Sequence, residues 1–230
     1  MQTIFWMSSS AFVRSTLCFS RCFSTIRSFK PGALFAQARG FKTLRHSLFL
    51  SCAQDIAKLC LDADKRTPSI LNLVSGLSDS LLRGELRERY AIWKLPSVEE
   101  ETDPEIIEAL RRIEQHKQSE RRAQFDKHYE ELQTSWASLQ NSEPLKGFST
   151  VHDKVSAHTE IRFVADKYQL MDIATLGIKW ADLRSTIDAM QYLVELIGLI
   201  VRNAGFAWDM LERQLSEAAI GFWSTNHETQ

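Results

Sequence analysis

Cysteine, glycine and proline are scarce in this chain, and each scarcity removes a class of fold. Four cysteines in 230 residues, Cys18, Cys22, Cys52 and Cys60, form no CxxC pair. That is too few for a disulfide framework and the wrong spacing for a zinc site. Nine glycines and five prolines cannot supply the turns of an all-β protein. No apolar run reaches the roughly 18 uncharged residues of a membrane span; the best, Ala189–Val201, is interrupted by Gln191 and Glu195. A glycine-rich phosphate loop is also missing. No His follows a Glu by three residues, as an inward-facing di-iron site requires. No metal and no cofactor are expected.

Acid is missing from one end. Residues 1–54 hold seven bases (Arg14, Arg21, Arg27, Lys30, Arg39, Lys42 and Arg45) and no acid before Asp55. The remainder holds 21 bases against 29 acids, so the near-neutral net charge of −1 hides a basic leader on an acidic body. Seven Ser and five Phe in the first thirty residues give the leader the composition of a mitochondrial presequence. The alternative is a basic extension outside the fold. Residues 1–33 are read as this leader, 34–224 as one helical domain and 225–230 as a tail. Deleting the leader is expected to leave the melting temperature nearly unchanged.

What is present is apolar periodicity of three and four. Phe41, Leu44, Leu48, Cys52, Ile56 and Cys60 share one helical face. Thr67-Pro68 predicts a restart, with Ile70, Val74 and Leu77 behind it, and Leu95-Pro96-Ser97 predicts a break. Glu99–Asp103 reads as a solvated acidic loop. Asp103-Pro104-Glu105 opens a helix predicted to reach Gln140, roughly 55 Å at 1.5 Å per residue. Its stripe is Phe125, Tyr129, Leu132, Trp136 and Leu139, and its middle, Arg111–Arg122, is mostly charged. His116 and His128 on this helix are expected to be solvated. Ser142-Glu143-Pro144 starts a helix with Leu145, Phe148, Val151 and Val155 on one side. Trp180 through Val201 keeps the most regular stripe, closed by Asn203-Ala204-Gly205, where Gly is expected to take the left-handed conformation. Trp208, Leu211, Leu215, Ala218 and Phe222 form a last helix. Nothing alternates convincingly with period two. The predicted fold is all-α, an antiparallel helical bundle with one long helix.

One segment carries chemistry: Val151-His152-Asp153-Lys154-Val155-Ser156-Ala157-His158-Thr159-Glu160. His158 continues the stripe one step past Val155, and Lys154 projects from nearly the same helical face. Two imidazoles, an ammonium and a carboxylate can move protons on a phosphodiester and offset its charge. The same residues equally suit an amphipathic helix with His158 at the edge of a core.

His152-Asp153-Lys154 followed by Ala157-His158 resembles the signature segment of HEPN domains of the abortive-infection AbiU-like branch. Leu44–Phe49 leading to Asp55–Leu59, Arg66–Ile70, and Gly177–Leu183 are similar to other parts of that branch, in the same order. The resemblance covers roughly residues 34–224. It implies a HEPN-type bundle, commonly a homodimer whose two sites face each other. It also implies a metal-independent endoribonuclease that leaves 2′,3′-cyclic phosphate ends, in a defence or toxin–antitoxin setting with an antitoxin partner. By position His158 matches the hallmark His, Asp153 the polar residue after the hallmark Arg, and Lys154 the next. The Arg position itself is His152, and no Arg stands five to seven residues before His158. Imidazole is not a permanent cation and cannot grip phosphate in the bidentate way of guanidinium.

The resemblance points to a bacterial cytoplasmic protein, with the mitochondrial matrix as the alternative. Because the body is acidic, RNA must be met by a local patch, for which Arg39, Lys42 and Arg45 are the candidates. Two other readings stay open: a non-catalytic HEPN module that binds RNA or a protein, and an imported helical assembly protein.

Overall fold

The computed structural model describes residues 35–95, 101–153, 161–164, 167–170 and 177–224. Among these the fold class is all-α, as predicted, with seven helices. They are α1 Phe35–Leu61, α2 Ile70–Leu77, α3 Ser80–Ala91, α4 Pro104–Gln140, α5 Glu143–Val151, α6 Trp180–Arg202 and α7 Trp208–Ser224. One feature was not anticipated. Strands β1 Ile161–Val164 and β2 Lys167–Leu170 pair antiparallel, and at four residues each they are too short for their alternation to stand out.

The chain divides into two compact units. The first comprises residues 1–69, 140–188 and 207–230. Its α1 buries Phe49, Cys52, Ala53, Ile56, Ala57 and Cys60 and packs against α5; of the predicted stripe Cys52, Ile56 and Cys60 are buried, whereas Leu48 is half-buried and Leu44 is exposed. The Phe49 and Trp180 rings meet edge to face at 5.0 Å, a favoured arrangement for aromatic quadrupoles. The Asp62–Ser69 link folds on itself: Asp62 accepts the Asp64 N–H, Asp64 accepts the Arg66 N–H, and the buried Ser69 hydroxyl donates to the Asp62 carbonyl at 2.6 Å. The restart therefore comes at Ile70, two residues after Pro68, because the link uses Thr67 and Ser69 to close its own turn.

The second unit comprises residues 70–139 and 189–206. Its buried side chains are Ile70, Val74 and Leu77 of α2, Tyr90 and Ala91 of α3, Phe125, Leu132, Trp136 and Leu139 of α4, and five apolar residues from Met190 to Ile200 of α6. Asp79 caps α3 by accepting from Leu81 and Leu82. Asp103 caps α4 through the Glu105 N–H, so cap, proline and acidic first turn stand as read.

The charged middle of α4 serves α3. In order along α4, Glu114 accepts the Leu95 N–H, Gln118 donates to the Trp93 carbonyl and Arg121 donates to the Tyr90 carbonyl. Arg122 then pairs with Glu88, Asp126 with Arg87, and Tyr129 accepts from Arg83. The descending numbers on one side against ascending numbers on the other show that α3 and the segment after it run antiparallel to α4.

The Arg122 and Arg87 guanidiniums hold the Glu88 and Asp126 carboxyls below their ordinary range. A depressed carboxylate contributes stability above its unfolded pKa and loses it as pH falls through the folded value. The variant Arg87→Gln/Arg122→Gln is thus expected to melt below the parent at pH 7, and the gap is expected to narrow as pH falls below the ordinary carboxylate range of about 4 toward pH 3. Calorimetry at both pH values checks this, and a gap of equal size at both would refute it. The pairs are solvent-exposed, so the gap is modest.

Two sequence expectations in this unit are corrected. His116 is solvated, 72% exposed and paired with Glu120, but His128 is only 16% exposed. It packs on the edge of the Tyr90 ring at 6.5 Å, on the α4 side that faces α3. Both of its ring nitrogens are buried without a hydrogen-bond partner among the described residues. Buried unsatisfied polar atoms cost stability that an apolar isostere recovers. His128→Phe is therefore expected to raise stability by about 1 kcal/mol, roughly 2–4 °C in Tm. A drop in the urea midpoint would show instead that the nitrogens are partnered in solution.

The second correction is at the end of α6. The left-handed residue is Asn203, with φ 52°, which Asn tolerates through its short polar side chain. Gly205 serves closeness instead. A Cβ there would meet the Glu195 carboxylate, which accepts the Phe206 N–H at 2.9 Å.

Candidate functional site

The site segment begins where α5 ends. Ser142 caps α5 by accepting the Leu145 N–H, with Pro144 in the first turn and Glu143 bonded to Lys146 at 2.6 Å. Leu145, Phe148 and Val151 are buried, so the stripe read from the sequence is the face that seats α5. Gly147 allows a close approach here, because a Cβ would lie 2.8 Å from the Ile178 side chain. On α6, Asp182 reaches back to the Lys179 N–H at 2.7 Å, which caps the helix that follows Ile178.

Past Val151 the helix widens into a π-type turn at His152 and Asp153, a distortion that frequently marks functional positions. The His152 side chain is 40% exposed, and its Nδ1 lies 2.9 Å from Asp153 Oδ1. Asp153 Oδ2 accepts from the Ser149 hydroxyl at 3.5 Å. An ionised carboxylate can only accept, so the proton of this contact sits on Nδ1. The ring is thereby oriented, and Nε2 has no partner among the described residues. An imidazole held in this way can exchange a proton, or donate from Nε2 to an anion when protonated.

Of the four residues singled out in the segment, the structure brings His152 and Asp153 together. Lys154 and His158 lie outside the described residues, and so does the predicted continuation of the stripe through Val155. Arg39 and Lys42 stand on α1, and Arg45 is on the same helix and exposed. Ser149 is absent from the sequence reading; its i, i+4 spacing from Asp153 is the signal that points to the Ser149–Asp153–His152 chain. No group of metal-ligating side chains occurs among the described residues. No described helix is long and apolar enough to cross a membrane.

No curated protein and no solved structure matches the chain significantly. A family profile does: HEPN_AbiU2, described as AbiU2, matches residues 27–222. That span runs through α1, the oriented His152, the hairpin and nearly all of α7. The four resembling segments thus fall inside one continuous match, and the chain belongs to the AbiU2 family of HEPN proteins.

Proposed function

We propose that this protein is a defence-type HEPN protein that acts on RNA as a metal-independent endoribonuclease. The observation that carries the reading is His152 at the exposed end of α5, its ring fixed by Asp153. In the proposed reaction, neutral His158 takes the proton of a ribose 2′-hydroxyl. The 2′-oxygen attacks the adjacent phosphorus, and the bond to the 5′-oxygen breaks. The products are a 2′,3′-cyclic phosphate and a 5′-hydroxyl end, the latter protonated by water. Protonated His152, donating from Nε2, and Lys154 offset the charge that builds on the phosphoryl oxygens. Asp153 holds the His152 ring through its contact with Nδ1.

The site is proposed to be composite, formed where two copies of His152–His158 meet across a two-fold axis. Arg39, Lys42 and Arg45 are the proposed contacts to the RNA backbone, an antitoxin is the proposed protein partner, and the bacterial cytoplasm is the proposed location. Incubating the protein with total RNA beside a His158→Ala control tests the activity. Light scattering at tens of micromolar tests the dimer, and monomer alone would count against a composite site. A second reading, a HEPN module that binds RNA without cutting it, is favoured by one observation: His152 stands where the hallmark has a permanent cation.

A further inference from the structure

Among the described residues, the polar contacts that tie α4 to α3 and the segment after it begin at Glu114 and continue toward the helix C-terminus. Residues 104–113 precede them, about 15 Å of helix at 1.5 Å per residue. In this first stretch Ile106 and Ile113 are 45% and 47% exposed, whereas the later stretch buries Phe125, Leu132, Trp136 and Leu139. The two isoleucines are seven residues apart, nearly two full turns, so they share one face, with the exposed Ala109 between them. A lone exposed apolar side chain needs no explanation. A strip at this spacing is the pattern by which two helices pair along a seam.

The charges beside the strip indicate what covers it. Glu105 and Arg112 are both exposed and also seven apart, each one residue before an isoleucine, so they line the same flank. Arg112 pairs along its own helix with Glu108, and a guanidinium with five donors has others left for a second carboxylate. A second copy laid antiparallel on the strip brings its Arg112 to Glu105 and its Glu105 to Arg112. A parallel copy would instead bring like charges level. The chain therefore carries both halves of the match itself, at one spacing, as a two-fold contact requires. We propose that the Ile106–Ala109–Ile113 face of α4 is an antiparallel seam between two copies of this chain, with Glu105 and Arg112 paired reciprocally across it. The seam belongs to the compact unit that does not hold His152, and it stands independently of the RNA reading.

The test is sedimentation of the full chain across the micromolar range at low salt. The parent is expected to gain mass with concentration. Glu105→Arg and Arg112→Glu each place like charges at both ends of the seam, and each alone is expected to associate about tenfold more weakly. An equimolar mixture of the two variants restores opposite charges at both ends and is expected to regain the parental mass. The exchange Glu105→Arg/Arg112→Glu in one chain is expected to do the same. That regain cannot come from misfolding. Glu108→Gln removes the pair within the helix and is expected to leave association unchanged. Ile106→Glu/Ile113→Glu is expected to weaken it about a hundredfold, with no recovery on mixing. If the single variants associate like the parent, or their mixture regains nothing, the seam is wrong, and the face at His152 is left as the dimer contact. A parent that stays monomeric throughout overturns the seam as well and leaves the strip to some other protein.

Discussion

His152→Arg is expected to raise ribonuclease activity by about tenfold or more, the scale on which one well-placed donor to a developing oxyanion acts. The parent needs His152 charged and His158 neutral at the same time. An imidazole is a cation only while it holds its second proton and a base only once it has lost it, so the pair works only in the pH window where one ring is charged and the other neutral. Guanidinium is charged throughout, presents two parallel N–H groups to a phosphate, and can keep a bond to Asp153. The Arg variant is therefore expected to gain most near neutral pH, widening the window on its neutral side. His158→Ala is expected to abolish activity in both backgrounds, because it removes the proposed base. The measurement is cleavage of a labelled RNA from pH 5 to 8, with circular dichroism and light scattering as controls. A folded, dimeric His152→Arg protein as inert as its parent would overturn the nuclease reading in favour of the binding module.

Much of the fold was legible because burial on a helix writes itself at intervals of three and four. Phe125, Leu132, Trp136 and Leu139 are buried as their spacing predicts, and so are Leu145, Phe148 and Val151. Caps were legible too, at Asp103 and Ser142, because capping is local chemistry. The errors lie where a local preference met a tertiary demand. His128 is drawn in by its place on the α4 side facing α3, and charged neighbours in sequence do not report that side. Gly205 was assigned the left-handed turn on propensity, but Asn203 takes it, and Gly205 is set by the approach of Glu195. The charge of the middle of α4 gives no sign of a neighbour, yet one side of it binds α3 through Arg121 and Arg122 and the segment after α3 through Gln118. The site was legible as residue types but not as an arrangement. Spacing named His152 and Asp153; that the Asp orients the imidazole depends on the widened turn after Val151, which no periodicity encodes.

Phe148→Ala is expected to cost about 3–5 kcal/mol of stability, the range for deleting a fully buried aromatic side chain. Phe148 is 0% exposed and stands between Leu145 and Val151 on the face of α5 that is fully buried. α5 has only nine residues, too short to be stable on its own, so packing of that face must hold it in place. The Phe148 carbonyl also accepts the His152 N–H in the last turn, which links the packed ring to the widened turn of the site. The loss is therefore expected to appear twice: as a lowered urea midpoint and, at denaturant concentrations below that midpoint, as weakened RNA cleavage in a still largely folded protein. Phe148→Leu keeps most of the volume and is expected to recover much of both, since volume-conserving apolar exchanges cost less than about 1.5 kcal/mol. If Phe148→Ala lowered the midpoint but left cleavage per folded molecule at the parental level, the packing of α5 would not be what positions His152, and the turn would have to be held by its own Ser149–Asp153 and Asp153–His152 contacts.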